Sequence, residues 1–210
     1  FDPAIWKAMV DMGCTGIALP DSVGGAGMGV GSAVPVFEAM GGGLLGTPLL
    51  ATTLAGQLLW RAAGEGAADW LGRLCAGSVA TVAILDAADW GGANTGVRLD
   101  GQGSLTGGKR FVADAGVADY FVVLASEEGA PVLALVERSA VQEGAISANV
   151  LIDLTKRAAN VDFTGVMPAE VIRGESVSTA LRDTLLLGAL LTAAESTGAA
   201  DRCLTSITEY

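Results

Sequence analysis

The chain of 210 residues contains no histidine. This absence excludes a Ser-His-Asp or Cys-His nucleophile system. It also excludes a histidine-ligated zinc or iron site and a proton shuttle through imidazole. Any chemistry that the chain supports must proceed without an imidazole ring.

Cysteine is scarce as well, with Cys14, Cys75 and Cys203 far apart and no C-x-x-C motif. A sparse, odd-numbered set of this kind predicts buried thiols in a reducing compartment. No basic segment precedes an apolar stretch as in a secretory signal peptide. We therefore expect a cytoplasmic protein.

Positive charge is limited to 12 lysines and arginines against 23 acidic residues, for a net charge of −11. The basic residues cluster no more tightly than the pairs Lys109-Arg110 and Lys156-Arg157. Such a surface repels a phosphate backbone, so we expect no nucleic-acid partner.

The longest uncharged run covers the 22 residues between Glu38 and Arg61. Its length would suffice to span a bilayer. It includes Pro48 and starts near Gly41-Gly42-Gly43, which would break a helix. The run predicts a turn followed by a buried helix, and no membrane partner is expected.

Glycine is abundant, with 30 residues, and it is concentrated between Val23 and Gly31. A phosphate-binding loop would need a preceding strand and, for P-loop chemistry, a Gly-Lys-Ser/Thr sequence. The lysine is missing, and a helix is predicted before the loop. The alternative interpretation, a tight linker between two helices, needs neither feature.

The chain divides into three zones that predict an α+β multidomain fold. Residues 1–77 show helical spacing and predict an N-terminal all-α domain, in which Ser32 caps one helix and Thr47-Pro48 starts another. Residues 78–174 predict a middle β-domain, a barrel or sandwich. Residues 175–210 predict the first helix of a C-terminal helical bundle, with the other helices missing. The predicted strands are Val79–Leu85, Gly96–Leu99, Ser104–Val112, Tyr120–Ala125, Val132–Val136 and Ala158–Phe163.

Two further patterns qualify this organisation. The segment Tyr120–Leu124 is uniformly apolar, which predicts a strand that is buried on both faces. The last helix, capped by Ser176 or Ser178, is apolar all round at Leu185–Leu191 and should be buried on all sides. Because the chain offers too small a core for such a helix, it predicts additional chain, another subunit, or both.

Carboxylates are the candidate acid–base groups. Asp86 and Asp89 flank a strand end, while Glu127 and Glu128 lie in a predicted turn. Proton transfer needs a carboxyl group whose pKa is shifted by burial or by a partner. Nothing in the sequence indicates such a shift, so solvated turn acids are the default interpretation.

Three other features can each be interpreted in two ways, as structural or as functional. Asp114 and Asp119 bracket a short segment between strands, and the default is an Asx-type turn. Glu195 is either a buried catalytic acid or the point where the last helix reaches water or a partner. Phe111 could stack on a planar cofactor, although core packing is favoured on the residues alone.

Several stretches together resemble the acyl-CoA dehydrogenases. The segment Met12–Gly27, with its Pro20 and Gly24-Gly25, is similar to a glycine- and proline-containing stretch of that family, and Val36–Gly41 resembles the stretch that follows it. The most specific match is Leu105–Val112, continuing through Gly116–Ala125, and Ala193–Tyr210 resembles the first long helix of the C-terminal domain.

The resemblance implies a flavoprotein that oxidises the α–β bond of an acyl-CoA. A glutamate removes the α-proton and the flavin N5 accepts the β-hydride. It further implies FAD as cofactor, an acyl-CoA substrate, an electron-transferring flavoprotein as acceptor, and a homo- or hetero-oligomer, either a dimer or a tetramer. Fatty, branched and sterol side-chain acyl groups all remain open.

Site residues are inferred from the family position by position. The family's flavin-contacting segment aligns with Phe111, Val112 and Ala113, where alanine replaces a threonine. A second flavin-contacting segment aligns with Leu85 and Asp86, whose contacts would be made by the backbone.

The resemblance identifies no catalytic base in this chain. In most members the base is expected beyond Tyr210; in others its position falls around Gly188, which has no acid within four residues. These departures resemble the shorter subunits of heteromeric acyl-CoA dehydrogenases. The alternative function is therefore a non-catalytic subunit that supports the flavin site.

Overall fold

The computed structural model describes residues 1–86 and 96–209. Five α-helices occur in these residues: α1 (Pro3–Asp11), α2 (Val34–Gly42), α3 (Leu49–Ala63), α4 (Ala68–Cys75) and α5 (Ser176–Thr208). The described residues between α4 and α5 form nine strands: β1 (Ala80–Ala83), β2 (Arg98–Leu99), β3 (Leu105–Thr106), β4 (Gly108–Ala113), β5 (Tyr120–Glu127), β6 (Ala130–Glu137), β7 (Ile146–Ala148), β8 (Ala158–Asp162) and β9 (Glu170–Ile172). This order of helices, strands and a final helix is the predicted α+β organisation.

Among the four helices that precede β1, only α1 begins with a side-chain cap. The Asp2 carboxylate accepts a hydrogen bond from the Ala4 amide at 2.7 Å and caps α1. The glycine-rich segment 23–31 connects α1 to α2, as the linker interpretation predicts. The prediction that Ser32 caps α2 is wrong, because its hydroxyl donates to the Met28 carbonyl and the helix begins at Val34.

The strands form two sheets, and no closed barrel exists among the described residues. The larger sheet has the order β3-β2-β5-β6-β9, with β1 also paired to β5, and the smaller sheet has the order β4-β8-β7. β1 runs parallel to β5, whereas β5 and β6 form an antiparallel hairpin. The barrel alternative is therefore wrong.

Some strand boundaries also differ from the prediction. The predicted strand Ser104–Val112 is two strands separated at Gly107, where φ is 111°. The short strands β7 and β9 were not predicted, because three-residue segments carry too little periodicity to be recognised.

Strand β5 lies in the interior of the larger sheet, and its residues alternate between two cores. Phe121 and Val123 pack in the core that includes α2 and β4, whereas Tyr120 and Val122 pack in the core formed with α3 and α4. This confirms the prediction of a strand buried on both faces.

Helix α5 has 33 residues, which corresponds to about 50 Å. Leu187 and Leu191 are buried against the other helices, but Leu185, Leu186 and Leu190 are 50%, 66% and 48% exposed. The expectation that this segment is buried on all sides is thus not met within the chain itself.

The start of α5 also differs from the prediction. The residue before the helix is Glu175, and no side chain caps the helix; Ser176 instead donates to the Ala62 carbonyl at 2.8 Å. By length and composition alone α5 could cross a membrane, a property it shares with many core helices.

Candidate functional site

A β-bulge in β4 shapes the candidate site. Lys109 pairs with Val161 and Val112 pairs with Ala159, so two residues of β4 face a single residue of β8. Phe111 is one of these two residues and has a φ of 49°. A positive φ is a steric outlier for a bulky aromatic residue and marks a functional hypothesis.

The bulge turns Phe111 toward the surface. Its side chain is 45% exposed, whereas that of Val112 is 1% exposed. Core packing of Phe111, which the residues alone favoured, is therefore wrong. The Phe111 amide donates to the side-chain oxygen of Asn160 at 3.3 Å, so a β8 side chain satisfies the amide that the bulge displaces.

Residues 84–86, the segment that directly follows β1 (the end of β1), lie beside this bulge. The Arg110 amide donates to the Leu85 carbonyl at 2.9 Å. The Thr81 hydroxyl donates to the Ala113 carbonyl at 2.6 Å. The structure therefore brings together the residues assigned to the flavin, and their contact with a flavin stays a prediction. These residues are Leu85, Asp86, Phe111, Val112 and Ala113.

The side chains of these residues have different exposures. Phe111 and Ala113 are exposed, while Val112 is in the core. Val112 can therefore contribute to the site only through its backbone, whereas Phe111 can offer its ring. Asp89 and the residues around it lie outside the described residues.

A buried ion pair joins the two segments. The Lys109 Nζ atom lies 2.8 Å from Asp86 Oδ1 and 3.0 Å from the Ile84 carbonyl oxygen. Burial lowers the pKa of Lys109, and the hydrogen bond with Asp86 opposes this effect. The interpretation of Asp86 as a solvated turn acid is wrong.

Sequence reasoning missed the role of Lys109. In a regular strand, Lys109, Phe111 and Ala113 would share one face. The bulge breaks this alternation, so Lys109 is buried while Arg110 and Phe111 are both exposed. Lys109 lies in the motif Leu105–Val112, the most specific part of the resemblance. Its place in that motif was the signal from which a role in the site could have been inferred.

The other candidate acids are engaged in structural contacts. Asp114 pairs with Arg157 at 2.7 Å; burial raises the pKa of Asp114, and the nearby Arg157 opposes this rise. The Asp119 carboxylate accepts from the Val79 amide at 2.8 Å. Thus both acids hold the fold together rather than simply closing a local turn.

Glu127 and Glu195 follow the same pattern. Glu127 ends β5 and pairs with Arg173, and Glu195 pairs with Lys156. Within residues 1–86 and 96–209, no group of three or more Cys, Asp and Glu side chains could hold a metal ion. The strained aromatic residue beside the end of β1 is consequently the strongest candidate site.

Comparison with known proteins places this geometry in context. Residues 1–78 match the family described as acyl-CoA dehydrogenase, N-terminal domain. The chain is 28% identical over its full length to the acyl-CoA dehydrogenase IpdE2 of Mycobacterium tuberculosis, and it covers 54% of that protein. It therefore spans about half the length of this curated relative.

Two solved structures resemble the whole chain. One is the ChsE4–ChsE5 complex from Mycobacterium tuberculosis, with 26% identity and a TM-score of 0.79. The other is a Tcur3481–Tcur3483 steroid ACAD variant, with 28% identity and a TM-score of 0.81. In both cases the alignment covers 100% of this chain and 57% of the solved chain. Residues 1–78 therefore match the N-terminal domain of the acyl-CoA dehydrogenases, and the whole chain has the fold of the acyl-CoA dehydrogenases that it resembles.

Proposed function

We propose that the chain contributes to an FAD-dependent acyl-CoA dehydrogenase and supplies part of its flavin site. The observation that carries this proposal is the exposed ring of Phe111, which a strained bulge holds beside the end of β1. Strain at a surface aromatic persists only where the surrounding structure maintains it, and such positions cluster at ligand sites.

The residues present fit a flavin. The Phe111 ring offers an apolar, planar surface on which a planar ring system can stack. The ends of β1 and β4 offer backbone groups within the same small region. FAD, when bound, supplies the hydride acceptor for the oxidation of the acyl-CoA.

The chain's own residues have distinct tasks in this proposal. Val112 anchors β4 in the core, so that Phe111 and Ala113 on either side of it project outward. Leu85 and Asp86 contribute through their backbone, which does not depend on their side chains. Ala113 provides no hydroxyl, so the side-chain hydrogen bond that the resemblance implies at this position is absent.

The proposed substrate is an acyl-CoA thioester, and the proposed electron acceptor is an electron-transferring flavoprotein. Because the steroid ACAD is similar to the chain at 28% identity, thioesters of sterol side chains are the first class to test. Straight and branched fatty acyl-CoA thioesters provide the comparison.

The test uses the purified protein together with any subunit that copurifies with it. Its visible absorption spectrum should show bound flavin, and anaerobic addition of an acyl-CoA should bleach that absorption. A preparation that binds no FAD, alone or with its copurifying subunit, would overturn the proposal.

A second candidate function is a non-catalytic subunit that supports the flavin of a partner. Around Gly188 on α5 there is no acid within four residues, and Gly188 itself faces Leu54. The closest acids on either side are ion-paired, Asp183 with Arg182 and Glu195 with Lys156. The similarity to the ChsE4–ChsE5 complex also favours this candidate.

Native mass spectrometry combined with the flavin spectrum separates the two candidates. A homo-oligomer that has one flavin per chain and turns over substrate supports the complete dehydrogenase. A colourless chain that acquires flavin only when a second type of subunit is added supports the non-catalytic role.

A further inference from the structure

We propose that Lys109 is a positioning residue of the flavin site, and that its ammonium group fixes the end of β1 against the bulged strand β4. This inference rests on the proposed function, because the site it organises is the proposed flavin site. It adds a residue whose side chain has no direct contact with the flavin in this account.

Lys109 reaches the end of β1 through two hydrogen bonds. Its Nζ atom donates to the Ile84 carbonyl at 3.0 Å and to Asp86 Oδ1 at 2.8 Å. The Lys109 side chain is 0% exposed and that of Asp86 is 15% exposed. One buried cation thus holds both sides of Leu85, a residue assigned to the flavin.

Lys109 lies next to the bulge, so its contact with Ile84 and Asp86 affects where the bulge residues are held. Lys109 immediately precedes Arg110 and Phe111, the two residues of the bulge. The Arg110 amide donates to the Leu85 carbonyl, so the lysine side chain and the next backbone amide bind the same segment of β1. Together they fix the distance between the Phe111 ring and the backbone of Leu85 and Asp86.

The cost of burial supports a specific role. A buried ammonium group is costly unless it is paired and hydrogen-bonded, and removing one partner leaves the other uncompensated. An apolar residue at this position would avoid that cost, but it could not hold the Ile84 carbonyl and Asp86 at once. The ion pair between Arg73 and Glu137 joins α4 to β6, includes none of the residues assigned to the flavin and is more exposed than the pair of Lys109 and Asp86, and it provides a control ion pair.

The first test needs no cofactor. Hydrogen–deuterium exchange should be measured on the FAD-free protein as wild type, Lys109→Met, Asp86→Asn and Glu137→Gln. Faster exchange at the Arg110 and Phe111 amides in Lys109→Met and Asp86→Asn, but not in Glu137→Gln, is the expected result. Unchanged exchange at these amides in both site variants would overturn the positioning role, whether or not the protein binds FAD.

The second test measures the dissociation constant of FAD by titration and the visible spectrum of the bound flavin. Lys109→Met should bind FAD about tenfold more weakly, which corresponds to the loss of one charge-assisted contact. Lys109→Arg, which retains the charge, should recover part of the affinity, and Glu137→Gln should bind as the wild type does.

The two tests fail in different ways. If the wild type binds no FAD, the proposed function fails, while the exchange experiment still reports on Lys109. If the wild type binds FAD and Lys109→Met binds it with equal affinity and an identical spectrum, the lysine is merely structural and the inference is overturned.

Discussion

The backbone amide of Arg110 donates a hydrogen bond of 2.9 Å to the carbonyl oxygen of Leu85. This single bond joins two segments that are 25 residues apart in the sequence. Both segments were assigned to the flavin on the basis of family resemblance alone. Their adjacency in the fold is the geometric condition that a shared cofactor site requires.

Replacement of Phe111 by alanine should weaken FAD binding. The variant loses the ring on which the flavin is proposed to stack, and a contact of this kind corresponds to about tenfold in the dissociation constant. The measurement is an FAD titration of the wild type and Phe111→Ala. Equal affinity would show that the ring does not contact the cofactor.

The strained backbone at Phe111 predicts a difference between two small replacements. Phe111→Gly should be more stable to chemical denaturation than Phe111→Ala by about 1 kcal/mol, because only glycine adopts a φ of 49° without cost. Both variants lack the ring, so the comparison isolates the backbone. A Phe111→Ala variant that is as stable as Phe111→Gly would contradict the left-handed conformation.

Restoring a hydroxyl at position 113 should strengthen FAD binding. Ala113 is exposed on the same side of β4 as Phe111, so threonine fits and can donate a hydrogen bond to the flavin. One added hydrogen bond corresponds to about three- to tenfold in affinity. The control is Ala113→Val, which has a similar shape without the hydroxyl and should show no gain in the same titration.

The bulge explains why part of the site could not be predicted from residue alternation. The motif Leu105–Val112 covers β3 and most of β4, and the resemblance assigned Phe111 to the flavin. Strict alternation places Lys109 and Phe111 on one face, yet Lys109 is buried and Phe111 is exposed. One additional residue in a strand reverses the face to which the side chains beyond it point. No residue type at this position indicated the bulge.

Two glycines at the contact between α2 and α5 should tolerate no side chain. A Cβ atom on Gly41 would overlap the Glu195 carbonyl oxygen, and one on Gly198 would overlap the Glu38 carbonyl oxygen. We expect Gly41→Ala and Gly198→Ala to lower the free energy of unfolding by about 1–3 kcal/mol each. Gly31, with no atom within 4 Å of an added Cβ, provides the control, and Gly31→Ala should leave the stability nearly unchanged in the same denaturation experiment.

The cysteines should differ in reactivity toward a thiol-alkylating reagent. Burial raises the pKa of the Cys14 and Cys75 thiols, so each has less of the reactive thiolate at neutral pH. Their alkylation should therefore be slow and should accelerate as the pH rises toward the raised pKa. Cys203 is exposed on α5 and should be modified first in the isolated chain, as followed by peptide mass spectrometry; preferential modification of Cys14 would contradict the fold.

The cysteines and α5 also show what composition can predict. Sparse cysteines predicted buried thiols, which holds for Cys14 but not for Cys203. The apolar segment Leu185–Leu191 correctly predicted a helix, but Leu187 and Leu191 are the only two of its leucines that are buried. Composition indicates which residues favour burial, whereas the packing partners determine which of them become buried.

The most direct test of the central claim is hydrogen–deuterium exchange of the protein with and without saturating FAD. The account predicts slower exchange at the ends of β1 and β4, residues 84–86 and 110–113, when FAD is added. Protection at other segments with no change at these two would contradict the assignment of the flavin site to Phe111 and the end of β1.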